Sequence, residues 1–257
     1  MQSQEDIFNP LIINGVVTRD KDFLHKLGKV LKLDWIVGKS FKMRRSLINR
    51  IIPSFACLAV KNNDFIALSG LLEKTEVSHR TYDDSTALHT ACELGNIDMI
   101  KFLLSKGASH HLDHRGNCPL YMAVKNRHHH AVSLLHFNGA TVTKPPVTIA
   151  MEMIQVIQIK DHRLLLAWAI AGVDMDAQDY NGRTAMHEAV YLGDVFMIRK
   201  LLEYGATPLM KDVWGQTAVD DAQNKAAIMA LFEPIFTVHC PTKEAYLLCE
   251  PKLSVRY

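Results

Sequence analysis

Between Asn181 and Ala206 the chain places a polar turn, then apolar residues at three- and four-residue intervals, a break at Gly193-Asp194, a second such run, and a stop at Gly205. Apolar positions at that spacing mark one face of a helix, so the stretch predicts two short helices back to back. Such a pair carries two apolar stripes and cannot bury both by itself, so the pattern ought to recur. Thr86-Ala-Leu-His89, Cys118-Pro-Leu-Tyr121, Thr184-Ala-Met-His187 and Thr217-Ala-Val-Asp220 each open an apolar run. The first two begin 32 residues apart and the last two 33, while the 66 residues from Cys118 to Thr184 leave room for one degenerate unit. Gly107, Gly139, Gly172 and Gly205 follow one another at 32, 33 and 33 residues, which places that unit at 140–172 without its tetrad. Pro53 lies 33 residues before Thr86 and opens another two-helix pattern.

The residue types suit such a unit. The hydroxyl of Thr86 or Thr184 caps the first helix, and His89 or His187 is placed to bond backbone in the adjoining turn. Ala91, Cys92, Ala123, Ala189 and Ala222 keep the inner helices slim enough to pack closely. Ile100, Phe102, Leu103 and Leu104 in one unit, and Ile198, Leu201 and Leu202 in another, supply the larger apolar surface of the outer helices. Gly107, Gly139 and Gly205 stop those helices. Pro145 and Pro146 fall where the degenerate unit should begin its first helix, and a missing N–H costs little there.

A period of 33 with Thr-x-Leu-His-x-Ala and a closing Gly-Ala resembles the ankyrin repeat. That resemblance implies an all-α solenoid of stacked helix pairs with short hairpin turns. The expected organisation is an N-terminal helical cap and basic connection over 1–48, a repeat domain over 49–232, and a C-terminal tail over 233–257. Its units fall near 50–82, 83–114, 115–147, 148–180, 181–213 and 214–232. The stretch RSLINRIIPSFACLAVKNNDFIALSGLLE is similar to the segment that opens the C-terminal ankyrin region of animal cytosolic L-asparaginases, also called 60 kDa lysophospholipases. In that family a separate amidohydrolase domain carries the chemistry, on Gly-Gly-Thr-Ile and Gly-Thr-Asp-Thr motifs. Neither motif occurs here, so the resemblance implies no catalytic residue for this chain. DMDAQDYNGRTAMHEAV and KDVWGQTAVDDA also resemble the ankyrin tails of glutaminases and of plant potassium channels.

Composition narrows the picture further. The 257 residues are 48% hydrophobic, enough for a sizeable core, and the net charge of +2 gives no bulk field toward nucleic acid or membrane. No apolar run reaches the roughly 20 residues of a membrane span. The opening MQSQEDIFNP is polar and acidic, unlike a secretory signal. Cys57, Cys92, Cys118, Cys240 and Cys249 are odd in number and scattered, which suits reduced thiols in the cytoplasm rather than a disulfide frame or a zinc site. Cys57 and Cys92 are expected as small core residues.

Candidate chemistry is sparse. His110, His111 and His114 in one unit, and His128, His129 and His130 in the next, are expected as exposed polar residues because no cysteine or carboxylate spacing completes a metal site. The basic cluster Lys39, Lys42, Arg44, Arg45 and Arg50 is expected as a solvated helix face. No nucleophile elbow, phosphate loop, zincin or dinucleotide motif is present, and no cofactor is expected. What remains is the row of turns TYDDS, DHRGN, DYNGR and DVWGQ, whose residues vary on a rigid scaffold. Tyr82, Arg115, Tyr180 and Trp214 at these tips are the candidate partner-binding residues. The expected function is a non-catalytic module that binds a protein; no motif names that protein. The alternative is a truncated or wrongly bounded member of the asparaginase family whose catalytic domain lies outside this chain.

Overall fold

A computed structural model describes residues 53–72 and 76–239, with backbone only for 234–239. The described chain forms two compact units that divide between Arg115 and Gly116. The expected cap and basic connection over 1–48, and the tail beyond His239, lie outside the described residues.

The first unit holds α1 (residues 53–61), α2 (Phe65–Leu72), α3 (Ala87–Leu94) and α4 (Ile97–Ser105). The second holds α5 (Pro119–Lys125), α6 (His129–Phe137), α7 (Pro146–Gln158), α8 (His162–Ile170), α9 (Ala185–Leu192), α10 (Val195–Glu203), α11 (Ala218–Ala222) and α12 (Ala226–His239). They run as inner–outer pairs, and no strand occurs among the described residues beyond one isolated bridge between Lys211 and Thr217.

The tetrads start the inner helices by satisfying orphan backbone donors. The Thr86 N–H donates to His89 Nδ1 at 3.1 Å, with the Thr86 hydroxyl 2.9 Å from the same nitrogen. Thr184 and His187 repeat this at 3.1 and 3.0 Å. In the last unit Asp220 takes the histidine's part, accepting from the Thr217 N–H at 2.9 Å and from its hydroxyl at 2.7 Å. The Cys118 sulfur accepts from the Tyr121 N–H at 3.4 Å. Each arrangement pairs groups that a helix start otherwise leaves bare.

Packing follows the division of sizes. Ala91, Cys92, Ala123, Ala189 and Ala222 are fully buried on the inner helices, and Ile100, Leu103, Ile198 and Leu201 on the outer ones. Phe65 and Phe102 meet edge to face at 5.9 Å in the first unit. Residues 140–172 form a helix pair despite the lost tetrad. Pro145 is the N-cap of α7 and Pro146 its first residue, and the thirteen-residue helix takes up chain that a turn uses elsewhere. Here Tyr121 Oη donates to Glu152 at 2.6 Å and packs 6.0 Å from the fully buried Trp168. Helix α12 runs through His239, beyond the expected domain end at 232.

A ladder joins successive pairs where inner helix passes to outer. Asn63, Arg127 and Lys160 sit in the left-handed region at φ 55, 60 and 57°, where Gly95 and Gly193 stand in other helix pairs at 67 and 71°. Each of the three reaches the N-cap of the next outer helix: Asn96 donates to Asn63 at 2.7 Å, Arg127 Nε donates to Asp161 at 2.7 Å, and Lys160 lies 3.4 Å from Asp194. Asp161 and Asp194 also accept from Leu164 and Met197 N–H at 2.9 and 3.1 Å. The hydrogen bond from Arg127 holds the Asp161 carboxyl below the usual carboxylate range.

Lys160 is 66% exposed, and a pair so open to water contributes little. Its left-handed backbone costs a non-glycine residue roughly 1–2 kcal/mol. Glycine adds unfolded-state entropy, so Lys160→Gly is expected to stabilise the chain by a net of about 0.5–1 kcal/mol. Arg127→Gly should gain nothing, because the stronger pair with Asp161 is lost at the same time. Urea midpoints of the two variants check this; a Lys160→Gly protein less stable than its parent would contradict it.

Candidate functional site at the hairpin tips

The four candidate residues belong to hairpin tips, and three of these tips share one construction. Asp113, Asp179 and Asp212 each turn a carboxylate back onto the chain, accepting at 2.8, 2.8 and 2.9 Å from the N–H groups of Arg115, Asn181 and Trp214. Asp179 and Asp212 accept a second bond, both at 2.9 Å, from the N–H groups of Arg183 and Gln216. The hairpin closes behind them, with the Asp179 and Asp212 N–H groups donating to the carbonyls of Arg183 and Gln216, both at 2.9 Å. In the first unit Thr81 and Ser85 close the tip at 2.8 Å, and Asp84 takes the left-handed place at φ 56° that glycine fills elsewhere. With these backbone donors and acceptors paired, the turns are held firmly enough to turn the side chains between them outward.

They do so. Tyr82 is fully exposed, Tyr180 is 80% and Trp214 66% exposed, and Arg115 is exposed as well. Tyr82 and Arg115 lie in the first unit, on tips joined by the His114 N–H donating to the Asp83 carbonyl at 3.1 Å. Tyr180 and Trp214 lie in the second, on tips joined by the Val213 N–H donating to the Asn181 carbonyl at 3.0 Å. Gln178 reinforces that junction, donating to the carbonyls of Lys211 and Gly182 at 2.9 and 2.8 Å. A Cβ on Gly182 would stand 3.1 Å from Asp212 Cα, and φ there is +72°. Glycine alone permits the close approach that sets the two aromatic tips side by side. No tip of this kind occurs at 141–147, where Pro145 leads straight into α7.

The base of the second unit's tips carries charges that repeat spacing does not disclose. Arg183 lies 3.6 Å from Asp212 and 3.2 Å from Asp221, one guanidinium between two carboxylates. Glu188, one turn into α9, accepts from the Gln158 amide at 2.9 Å. Val213 is a further exposed apolar side chain beside Trp214. The only signal in the sequence was acidic residues at successive inner-helix positions, and their pairing is a tertiary fact.

The histidines divide into two kinds. His111 Nδ1 meets Arg80 at 3.2 Å, His114 Nδ1 donates to the Asp83 carbonyl at 2.9 Å, and His129 Nε2 donates to the Arg163 carbonyl at 2.8 Å. His110, His111, His128 and His129 depart from the expectation of exposed side chains: each is half-buried, while His114 and His130 are exposed, and for His110 burial lowers the pKa. His79 and His110 each have a buried Nδ1 without a hydrogen-bond partner, on segments joined by the Ser109 N–H donating to the Ser78 hydroxyl at 3.0 Å. Among the described residues, no three side chains of His, Cys, Asp or Glu gather closely enough to hold a metal ion. Cys92 is fully buried; Cys57 is only partly so, with its thiol pKa raised by burial.

Residues 56–145 match the family described as ankyrin repeats (3 copies), and residues 159–202 that described as ankyrin repeats (many copies). The chain is 30% identical over 207 residues to an L-asparaginase of Dirofilaria immitis, covering 80% of this chain and 34% of that protein. It is 34% identical over 129 residues to a putative ankyrin repeat-containing protein of Treponema pallidum, covering 48% of this chain and 42% of that one. It thus spans between a third and a half of the length of these relatives. Among solved structures, a chain from the complex of a predatory endopeptidase of Bdellovibrio bacteriovorus with an immunity protein superposes with a TM-score of 0.50 at 23% identity. That superposition covers 69% of this chain and 96% of the other, a likeness of fold. Repeat period, capped helix pairs, aspartate-clamped tips and family matches coincide: the chain belongs to the ankyrin-repeat family.

Proposed function

We propose that the chain is a non-catalytic protein-interaction module, working in the cytoplasm, and that its binding residues are the aromatic side chains at the hairpin tips. One observation carries this reading. Tyr180 and Trp214 stand exposed on adjacent tips closed by aspartate clamps and cross-hairpin hydrogen bonds, so large apolar surfaces are offered to a partner by a scaffold already ordered. Burying such rings on binding gains apolar area at little cost in side-chain entropy. Tyr82 and Arg115 offer a second, more polar pair in the first unit. No described helix is long and apolar enough to cross a membrane, and Cys57, Cys92 and Cys118 are free thiols.

Trp214→Ala is expected to weaken a partner bound at this face by about 1–3 kcal/mol. The thermal midpoint should barely move, because the ring is largely in water. Calorimetric titration and a melting curve on the same variant separate the two. Unchanged affinity together with unfolding of the last repeat would make Trp214 a packing residue.

A second reading is favoured by the alignment to the nematode L-asparaginase, which covers most of this chain and only a third of that protein. On that reading the chain is the ankyrin region of a longer amidohydrolase. Adjacent coding sequence with Gly-Gly-Thr-Ile and Gly-Thr-Asp-Thr motifs would establish it. The isolated 257 residues should in either case hydrolyse no asparagine above a heat-killed control.

A further inference from the structure

The aromatic tips of the second unit are set among carboxylates. Asp212 lies within the Trp214 tip, Asp221 follows on α11, and both face the single guanidinium of Arg183. Around the two tips Asp179, Asp212, Asp220 and Asp221 outnumber Arg183 and the exposed Lys211, which leaves an excess negative charge at their foot. Glu188 adds to it, since among the described residues its carboxylate meets the neutral Gln158 amide and no cation. These groups adjoin the tip through the backbone: His187, next to Glu188 on α9, places Nε2 3.4 Å from the carbonyl of Gln216. Lys225 is engaged elsewhere, donating to the carbonyls of Val190 and Tyr191 at 2.6 and 3.1 Å. Exposed Tyr180, Val213 and Trp214 therefore form an apolar ridge with a negative flank.

We infer that this face takes a peptide segment in which an aromatic or large aliphatic residue is followed closely by lysine or arginine, the apolar side chain lying on Trp214 and the cation on Glu188. This rests on the docking reading above and specifies the partner's chemistry. Complementary charge steers encounter and rejects like-charged competitors, while the desolvated ring holds the complex. A cation beside Trp214 or Tyr180 gains a further contact with the ring face. An acidic segment would meet Glu188 and the net charge of the Arg183 cluster, and is excluded by repulsion.

The test uses the full chain and a displayed library of random linear peptides. Selected clones are compared on the parent protein, Trp214→Ala and Glu188→Gln; the last keeps an acceptor for Gln158 and removes only charge. The expected consensus pairs Trp, Phe or Leu with a nearby Lys or Arg. Binding should fall roughly five- to 150-fold in Trp214→Ala and roughly tenfold in Glu188→Gln, with on-rates that drop as salt rises. Peptides that need Trp214 but carry no cation, or that bind Glu188→Gln as well as the parent, overturn the charge assignment and leave the docking face standing. An acidic consensus also overturns it. If no selected peptide loses affinity in Trp214→Ala, the docking face itself falls, and this proposal with it.

Discussion

Leu201→Ala is expected to lower the unfolding free energy by about 2–5 kcal/mol, and Leu103→Ala by a similar amount. Both side chains are 0% exposed on outer helices, α10 and α4, in closely packed surroundings. Truncation removes three carbon atoms from contact and leaves a cavity that rigid neighbouring helices cannot close. In an array of repeats such a loss falls mainly on the affected pair and its neighbours, so amide exchange should rise first in α9 to α11 for Leu201→Ala. Equilibrium urea denaturation supplies the magnitude and exchange the location. A change below about 0.5 kcal/mol at both positions would mean that these helices do not pack as described.

The second large effect is expected at His187, which is fully buried in the middle of the second unit. Its Nδ1 accepts from the Thr184 N–H, so that nitrogen is unprotonated and the proton sits on Nε2, which donates to the Gln216 carbonyl. One neutral imidazole thus starts α9 and ties it to the next tip. His187→Leu leaves the buried Thr184 N–H without its acceptor and the Gln216 carbonyl with only the Asp212 N–H, at a cost of about 1–3 kcal/mol at pH 7.5. Burial also holds the imidazole pKa below its ordinary 6.5. The folded chain then binds fewer protons than the unfolded chain, so this contribution is complete above pH 6.5. It is lost as pH falls from there through the lower folded pKa.

Asp176 works in the opposite direction. Burial pushes its pKa up to about 6, from 3.8, although the Thr207 N–H donates to it at 2.8 Å. Its folded form holds a proton more tightly, and acidification from above pH 6 toward 3.8 adds stability. Parent and His187→Leu both contain Asp176, so the difference between their stabilities isolates the histidine. That gap should narrow between pH 7.5 and pH 5. A gap constant across this range would show that His187 carries its proton equally in both states.

The alternation of apolar and polar positions determined much of this molecule before any coordinate. A period of 33 with glycine stops marked the helix pairs that end before Gly107, Gly139, Gly172 and Gly205, including the one at 140–172 that had lost its tetrad. This works because each pair packs mainly on its neighbours in sequence, so local pattern and tertiary environment coincide. The tips were legible for the same reason: Asp-x-x-Gly specifies a turn through its own backbone, and Trp214 was exposed where that turn put it.

Tertiary structure decided what depends on contacts between successive helix pairs. Arg183 reaches Asp221 across 38 residues, and Arg127 reaches Asp161 across 34, distances over which spacing says nothing about side-chain direction. The partial burial of His110, His111, His128 and His129, which the sequence presented as exposed, depends on what the neighbouring helix pairs bring against them. The negative flank of the Trp214 tip is likewise invisible in a chain whose overall charge is +2. Net charge sums over all residues, whereas a partner meets only those that folding sets on one face.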